Sequence, residues 1–272
     1  MIALTIAGSD SGGGAGIQAD IKTFQEHGVF GTSALTALTA QNTCGVHDVM
    51  AVTAQFLGNQ LRAVLEDFSV KAIKTGMLVN AALMKEVAHH VQTLQVPLVV
   101  DPVMIAKGGE HLMEDEAVET LRNVMLPLAT VCTPNIPEAE RLTGKKITSY
   151  ADMKRAAHQL LSLGVQCVVM KGGHLHEKAA TDYVFMQSGE VFALETPRID
   201  TKQTHGTGCT FSAAVTAQLA KGKTVRQAII EAKKYIHLAI AYPLHIGHGY
   251  GPTNHFAYRQ QLGQCEVHYR EY

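Results

Sequence analysis

The chain has 272 residues, 46% of them hydrophobic and 17% charged, with 23 basic against 24 acidic side chains and a formal net charge of −1. That balance leaves no electrostatic footprint for nucleic acid, and no run approaches the roughly 20 apolar residues that would span a membrane. A chain of this size can bury roughly 70–75% of its unfolded surface, and any phosphate contacts must come from a local site.

The N-terminus, Met1 to Ala7, has no basic region and runs straight into Gly8-Ser9-Asp10, which is unlike a secretory signal. Ile2–Ala7 predicts a buried strand and Ala15–Glu26 a helix. Ala34–Thr39 predicts a second strand, Ala54–Glu66 a helix and Val70–Ile73 a strand. Helices over Ala81–Thr93, Glu114–Val124 and Met153–Leu163 alternate with strands over Val96–Val100, Ala129–Cys132 and Val165–Met170. Asp182–Met186 and Val191–Leu194 resemble a short hairpin, and Cys209–Ala220 and Val225–Ala241 predict two long closing helices. Aliphatic runs without alternation are strands buried on both faces. Their alternation with helices predicts a mainly parallel sheet flanked by helices on both faces, an α/β fold. With no Pro-, Gly- or Ser-rich linker and no repeat, one domain over 1–272 is expected, its tail from about Gln260 unassigned.

Ligands of such sheets sit beyond the carboxyl ends of the strands, and five segments there carry chemistry. Gly8-Ser9-Asp10-Ser11-Gly12-Gly13-Gly14-Ala15-Gly16 is dense enough in glycine to bring backbone N–H groups close to a ligand, or to be a flexible turn. It is neither a dinucleotide fingerprint nor a P-loop. Gln41-Asn42-Thr43 offers donor and acceptor groups that suit the edge of a heterocycle, or a hydrated strand end. Asp101 before Pro102 fits a Mg²⁺ ligand or the start of a turn. The following Ala106–His111 has Gly108-Gly109 and Lys107, as a closing flap would. In Thr133-Pro134-Asn135-Ile136-Pro137-Glu138, Pro137 suits a first helical turn, Asn135 a cap, and Glu138 either the capping acid or a Mg²⁺ ligand; these residues by themselves favour the cap. Gly206-Thr207-Gly208-Cys209 opens a helix whose N–H groups and dipole form an anion hole for a moving phosphoryl group, unless the small residues serve only tight packing. Cys209 lies where thiol pKa values fall, and Lys171 adds a cation near the same edge.

Five widely spaced cysteines (Cys44, Cys132, Cys167, Cys209, Cys265) without a CxxC pair predict reduced thiols and a cytoplasmic protein. The spacings of His89-His90 and His174/His176 put no two ligands on one helix face, so no transition metal is expected.

Taken together and in order, AGSDSGGGAGIQADIKT, TAQNT, IKTGM, VDPVM, TPNIPEAE, KGGH, HGTGCTFSAA and GHGYGPTNHF resemble the hydroxymethylpyrimidine/phosphomethylpyrimidine kinases, and also the related pyridoxal kinases, over residues 2–256. The resemblance implies a ribokinase-like fold, ATP and Mg²⁺ as cofactors, a small-molecule alcohol as substrate and a homodimer. It implies that Gln41 reads the pyrimidine ring and that Gly8, Asp20, Met77 and Val103 line the substrate pocket. Asn135 and Glu138 match the family's NxxE motif for Mg²⁺, with Asp101 supporting the metal through water. Thr133, Lys171, Gly206, Thr207 and Gly208 would contact ATP phosphates. Cys209 stands where most ribokinase-like enzymes have the Asp that acts as general base, which leaves the base of this chain open. Three functions are therefore in play: successive phosphorylation of hydroxymethylpyrimidine and its monophosphate, pyridoxal phosphorylation, and non-catalytic ligand binding. The presence of Asp101, Glu138 and the GTGC helix start speaks against the last.

Overall fold

The runs of aliphatic residues do form strands covered on both sides. In β1 (Ile2–Asp10) Leu4 and Ile6 enter one apolar cluster and Ala3 the other. In β5 (Leu98–Val100) and β7 (Cys167–Lys171), Val100, Val168 and Met170 point to the first cluster, and Val99, Cys167 and Val169 to the second. This is the period-two geometry of a strand with two apolar faces. The computed structural model describes residues 1–104, 113, 115–172, 179–261 and 267–272; the flap expected at Ala106–His111 lies outside them.

Those described residues make a ten-stranded sheet in the order β10-β9-β8-β7-β6-β5-β4-β1-β2-β3. The middle is parallel: β2 (Phe30–Asn42), β1, β4 (Ala72–Thr75), β5, β6 (Val131–Cys132) and β7. Both ends are antiparallel, with β3 (Gly45–Ala51) on β2 at one side and β8 (Ala179–Met186), β9 (Val191–Pro197) and β10 (His268–Glu271) beyond β7 at the other. Helices α2 (Ala54–Asp67), α3 (Ala81–Val91), α4 (Asp115–Thr120), α5 (Ile136–Thr143) and α6 (Tyr150–Leu161) bring Leu57, Met84, Ala117, Leu142 and Leu160 to the first cluster. Helices α1 (Gly16–Glu26), α7 (Thr207–Ala220) and α8 (Val225–Ala241) bring Phe24, Phe211 and Ile229 to the second. The expected sheet with helices on both faces is what is found.

Three elements differ from the sequence reading. β3 was not expected, because His47-Asp48 interrupts its apolar pattern; it is an exposed edge strand whose stability comes from pairing with β2. The tail left unassigned adds β10 by pairing with β9. The predicted Glu114–Val124 helix is α-helical only over Asp115–Thr120 and continues as a π-turn over Leu121–Met125. No helix among the described residues is long and apolar enough to cross a membrane.

Helix α7 positions the site. Its residues from Thr210 to Ala220 are buried, and they are mostly Ala, Ser, Thr and Val, so the helix lies close against β1, β4 and β5. Thr216 back-bonds to the Ser212 carbonyl at 2.8 Å and Ser212 lies 2.9 Å from the Gly208 carbonyl, while Thr210 Oγ1 bonds outward to Thr253 and His255.

Candidate active site

Each parallel strand ends on a polar residue or is followed directly by one, Asp101 after β5 and Thr133 after β6, and the first turn of α7 lies against Asp101. Asp101 directly follows β5 and is 2% exposed. It accepts hydrogen bonds at Oδ1 from Thr133 Oγ1 (3.1 Å) and Lys171 Nζ (3.2 Å), and at Oδ2 from Ser212 Oγ (3.1 Å). Burial works against its charge, but Lys171 and Lys74 outweigh this and hold it below the usual carboxylate range. The Lys171 ammonium is likewise opposed by burial and raised by Asp101 and Glu138, so it stays protonated. A Cβ added at Gly208 would stand 3.3 Å from Lys171 Nζ and 3.5 Å from Asp101 Oδ2. The first turn of α7 therefore sits directly on this ion pair, and a side chain there would fill the space between them.

Asn135 and Glu138 form a complete capping box on α5. The Asn135 side chain accepts from Glu138 N–H and Glu138 Oε2 accepts from Asn135 N–H, both at 2.8 Å. Burial pushes the Glu138 carboxyl up to about 7, with Lys171 opposing and Asp101 adding to the rise. Both the cap and the position beside Asp101 and Lys171 thus belong to one side chain. No group of three His, Cys, Asp or Glu among the described residues could hold a metal. What the site offers a hard dication is the two carboxylates Asp101 and Glu138, and this suits Mg²⁺, which commonly takes its other ligands from water and substrate phosphates.

Behind this edge lies a buried pair that the sequence reading treated differently. Asp20, expected in the substrate pocket, is fully buried: it accepts from Lys74 Nζ and from Thr5 Oγ1, each at 2.6 Å. Lys74 was quoted within IKTGM without a role. Its signal was available, since a lysine inside the apolar strand Ala72–Thr75 must have a partner. Burial disfavours the Lys74 ammonium, but Asp20, Cys209 and Asp101 raise it. Cys209 is corrected in the opposite sense. Desolvation outweighs the Lys74 charge and pushes the thiol up to about 11, so the helix start does not make it a thiolate at neutral pH.

The glycine loop is also corrected. The sequence leaves it either a loop bringing N–H groups to a ligand or a flexible turn; in the structure it wraps its own carboxylate. Asp10 accepts from Gly12 N–H at Oδ1 (2.8 Å) and from Gly14 and Ala15 N–H at Oδ2 (3.0 and 2.8 Å), and Gly13 N–H donates to the Asp10 carbonyl. At the α7 start Gly206 is the N-cap, in the left-handed region (φ 76°) and with no side-chain capping bond. Thr207 opens the helix, so Cys209 is its third residue.

On the other side of the glycine loop stand the remaining expected pocket residues. A Cβ at Gly8 would meet Met77 Cε at 2.4 Å, so these two pack together. Val103 is half-buried beside Asp101, its N–H bonded to the Asp101 carbonyl. Gln41 lies within reach of the same loop. Its backbone N–H donates to Ser11 Oγ (2.8 Å), Ser11 Oγ donates to its carbonyl (2.7 Å), and Thr39 Oγ1 donates to its Oε1 (3.1 Å).

The chain also matches known proteins over most of its length. The family model described as phosphomethylpyrimidine kinase matches residues 10–254. A hydroxymethylpyrimidine/phosphomethylpyrimidine kinase of Bacillus subtilis is 54% identical over 95% of this chain and 96% of its own. One from Haemophilus influenzae is 52% identical over 94% and 96%. Among solved structures, the pyridoxal kinase from Staphylococcus aureus in complex with AMP-PCP and pyridoxal superposes with a TM-score of 0.91 at 36% identity, covering 100% of this chain and 99% of that one. With its ribokinase-like sheet, its buried Asp101–Lys171 pair under the α7 start and a match over most of its length, the chain belongs to the phosphomethylpyrimidine kinase family.

Proposed function

We propose that the chain transfers a phosphoryl group from ATP to the hydroxymethyl group of hydroxymethylpyrimidine, and a second to the monophosphate so formed. The observation that carries this reading is the Asp101–Lys171 ion pair lying against the N-terminal turn of α7 at Gly208, with Glu138 near enough to feel both charges. Phosphoryl transfer is mainly positioning and charge stabilisation. In this reading Gly206 and Thr207 shape the helix start, the N–H groups of Gly208 and Cys209 receive the transferring group, and Lys171 and Thr133 face the phosphates. Asp101, Asn135 and Glu138 would hold Mg²⁺, which neutralises phosphate charge when bound. Gln41, its amide oriented by Thr39 and its backbone fixed by Ser11, reads the ring edge, and Gly8, Met77 and Val103 shape the pocket around it. Asp20 contributes through Lys74 from beneath.

Pyridoxal phosphorylation is a second reading, favoured by one observation: the Staphylococcus aureus pyridoxal kinase, solved with AMP-PCP and pyridoxal, covers the whole chain. ADP release measured in parallel with hydroxymethylpyrimidine, its monophosphate and pyridoxal decides between them. The leading reading expects turnover of both pyrimidines; turnover of pyridoxal alone would replace it. Under the same reading Gln41→Ala raises KM for the pyrimidine and leaves KM for ATP unchanged, since each ring-edge hydrogen bond contributes about 0.5–1.5 kcal/mol. Equal rises for both substrates would remove Gln41 from the ring.

A further inference from the structure

Asp10 and His205 are far apart in sequence, and the expected site included neither. Their side chains meet at 2.8 Å between Asp10 Oδ2 and His205 Nε2, with 3% and 11% of the side chains exposed. Asp10 ends β1 and is the centre of the glycine loop. His205 immediately precedes Gly206, the N-cap of α7. The two segments also touch backbone to backbone. A Cβ at Gly206 would fall 1.8 Å from the Gly14 carbonyl oxygen, and one at Gly14 would fall 2.6 Å from His205 Cδ2. His205 is fixed from behind as well: its N–H donates to the Gly251 carbonyl (3.0 Å) and its carbonyl accepts from Thr253 N–H (3.1 Å). Gln41 Nε2 lies 3.5 Å from the same His205 nitrogen.

One carboxylate thus joins the glycine loop, through its N–H groups, to the entry to α7, through the proton on His205 Nε2, and Ser11 of the same loop carries the link on to the backbone of Gln41. We propose that Asp10 and His205 are positioning residues, a clip that holds the acceptor-side loop in register with the phosphoryl-side helix start. The clip touches neither Asp101 nor Lys171 in any described hydrogen bond, so its loss leaves that ion pair in place and falls on the alignment of the acceptor with the helix start. It rests on the assignment of Gln41 to the acceptor given above.

The test compares wild type with His205→Ala, His205→Gln and Asp10→Asn. It measures kcat and both KM values with ATP and hydroxymethylpyrimidine, and ADP affinity by calorimetry. A displacement of about 1 Å at a reacting centre can cost about 10²-fold. His205→Ala is therefore expected to lower kcat by about that factor with ADP affinity unchanged. His205→Gln, whose amide can still donate to Asp10, is expected to recover most of the loss. Asp10→Asn, whose amide oxygen can still accept from Gly14, Ala15 and His205, is expected to keep most of the wild-type kcat; should His205→Ala fail to fold, His205→Phe, which keeps a ring but cannot donate to Asp10, is expected to give the same split. Unchanged kcat in folded His205→Ala or His205→Phe, or a loss of ADP affinity equal to the loss of kcat, overturns the proposal. A wild-type chain that turns over no pyrimidine overturns the functional reading instead, and the same variant comparison is then made with pyridoxal as acceptor.

Discussion

Glu138 answers two demands with one carboxylate. Oε2 caps α5 through Asn135 N–H, while the group stands close enough to Asp101 and Lys171 to feel both charges. Glu138→Gln keeps an acceptor for the cap, so it is expected to cost no more than the roughly 1 kcal/mol of a lost cap, while turnover falls and the Mg²⁺ requirement rises. A Mg²⁺ titration of kcat together with a melting curve checks this; unchanged kinetics would leave Glu138 only its cap. Cys209 makes the converse case. With its thiol pushed up to about 11 by desolvation, it does not stand as a thiolate at neutral pH, which argues against its acting as the base. The alcohol acceptor of the first step needs a base, worth roughly 10²–10⁴-fold, whereas a phosphate monoester, with a second pKa of about 6, is already ionised. Cys209→Ala is therefore expected to slow both steps by the same factor in single-turnover measurements. Selective slowing of the first step would restore the thiolate. Of these residues, the positions of Asp101, Lys171 and Gln41 at strand ends were legible because strand ends are where ligands of such sheets sit, and Glu138 because Asn135 and Pro137 announce the first turn of α5. The states of Cys209 and Asp10 were not, since desolvation and a closed ring of N–H donors are properties of neighbours remote in sequence.

At the scale of elements, buried ion pairs tie the layers together. Lys74 on β4 reaches Asp20 on α1 at 2.6 Å, with neither exposed, and Lys233 on α8 reaches Asp182 on β8 at 2.7 Å. Removing one partner of such a pair leaves an uncompensated charge, which typically costs about 3–5 kcal/mol, whereas replacing both by apolar residues of similar volume is often neutral. Lys74→Met is expected to lose about that much in urea denaturation, and Asp20→Leu combined with Lys74→Met to regain most of it. An additive loss would show that the pair is not coupled. Helix limits follow the chemistry of their caps. Val225–Ala241 is found as expected because Thr224 and Gln227 form a capping box that the residues spell out. Helix α7 starts two residues before its expected Cys209, because its cap is Gly206 in a left-handed conformation with no side-chain hydrogen bond to announce it.

For the whole molecule, buried histidines make stability depend on acid. Burial pushes His27 down to about 4, with Lys221 adding to the effect, while its Nδ1 accepts from Gln218 at 3.0 Å. Burial also pushes His255 down to about 4, and its Nε2 lies 3.1 Å from Thr210 Oγ1 in the first turns of α7. Unfolded histidines take up protons near 6.5 and these native ones only near 4, so the stability they allow is complete above pH 6.5 and is lost as pH falls toward 4. Each accounts for about 3 kcal/mol over that window. Glu138 acts in the opposite direction, since its native value of about 7 lies above the ordinary 4.5 and stabilises the fold as pH falls through that range. Unfolding free energies at pH 7 and pH 5 are expected to show a net loss on acidification. The loss should be smaller in His27→Gln and larger in Glu138→Gln. The reverse order of the two variants would contradict these assignments.

Patterns local in the chain were enough to establish the α/β class, the order of the parallel strands' flanking helices and the strand-end residues Gln41, Asp101, Thr133 and Lys171, because strand alternation, helical periodicity and glycine-rich turns are written within about 10–20 residues. Tertiary structure alone decided which of those residues meet. The Lys171–Asp101 contact spans 70 positions and the His205–Asp10 contact 195. It also decided that Asp20 turns inward to Lys74 and that the tail closes the sheet as β10. The physical reason is that hydrogen-bond partners, desolvation and edge-strand pairing depend on segments brought together only when the sheet assembles.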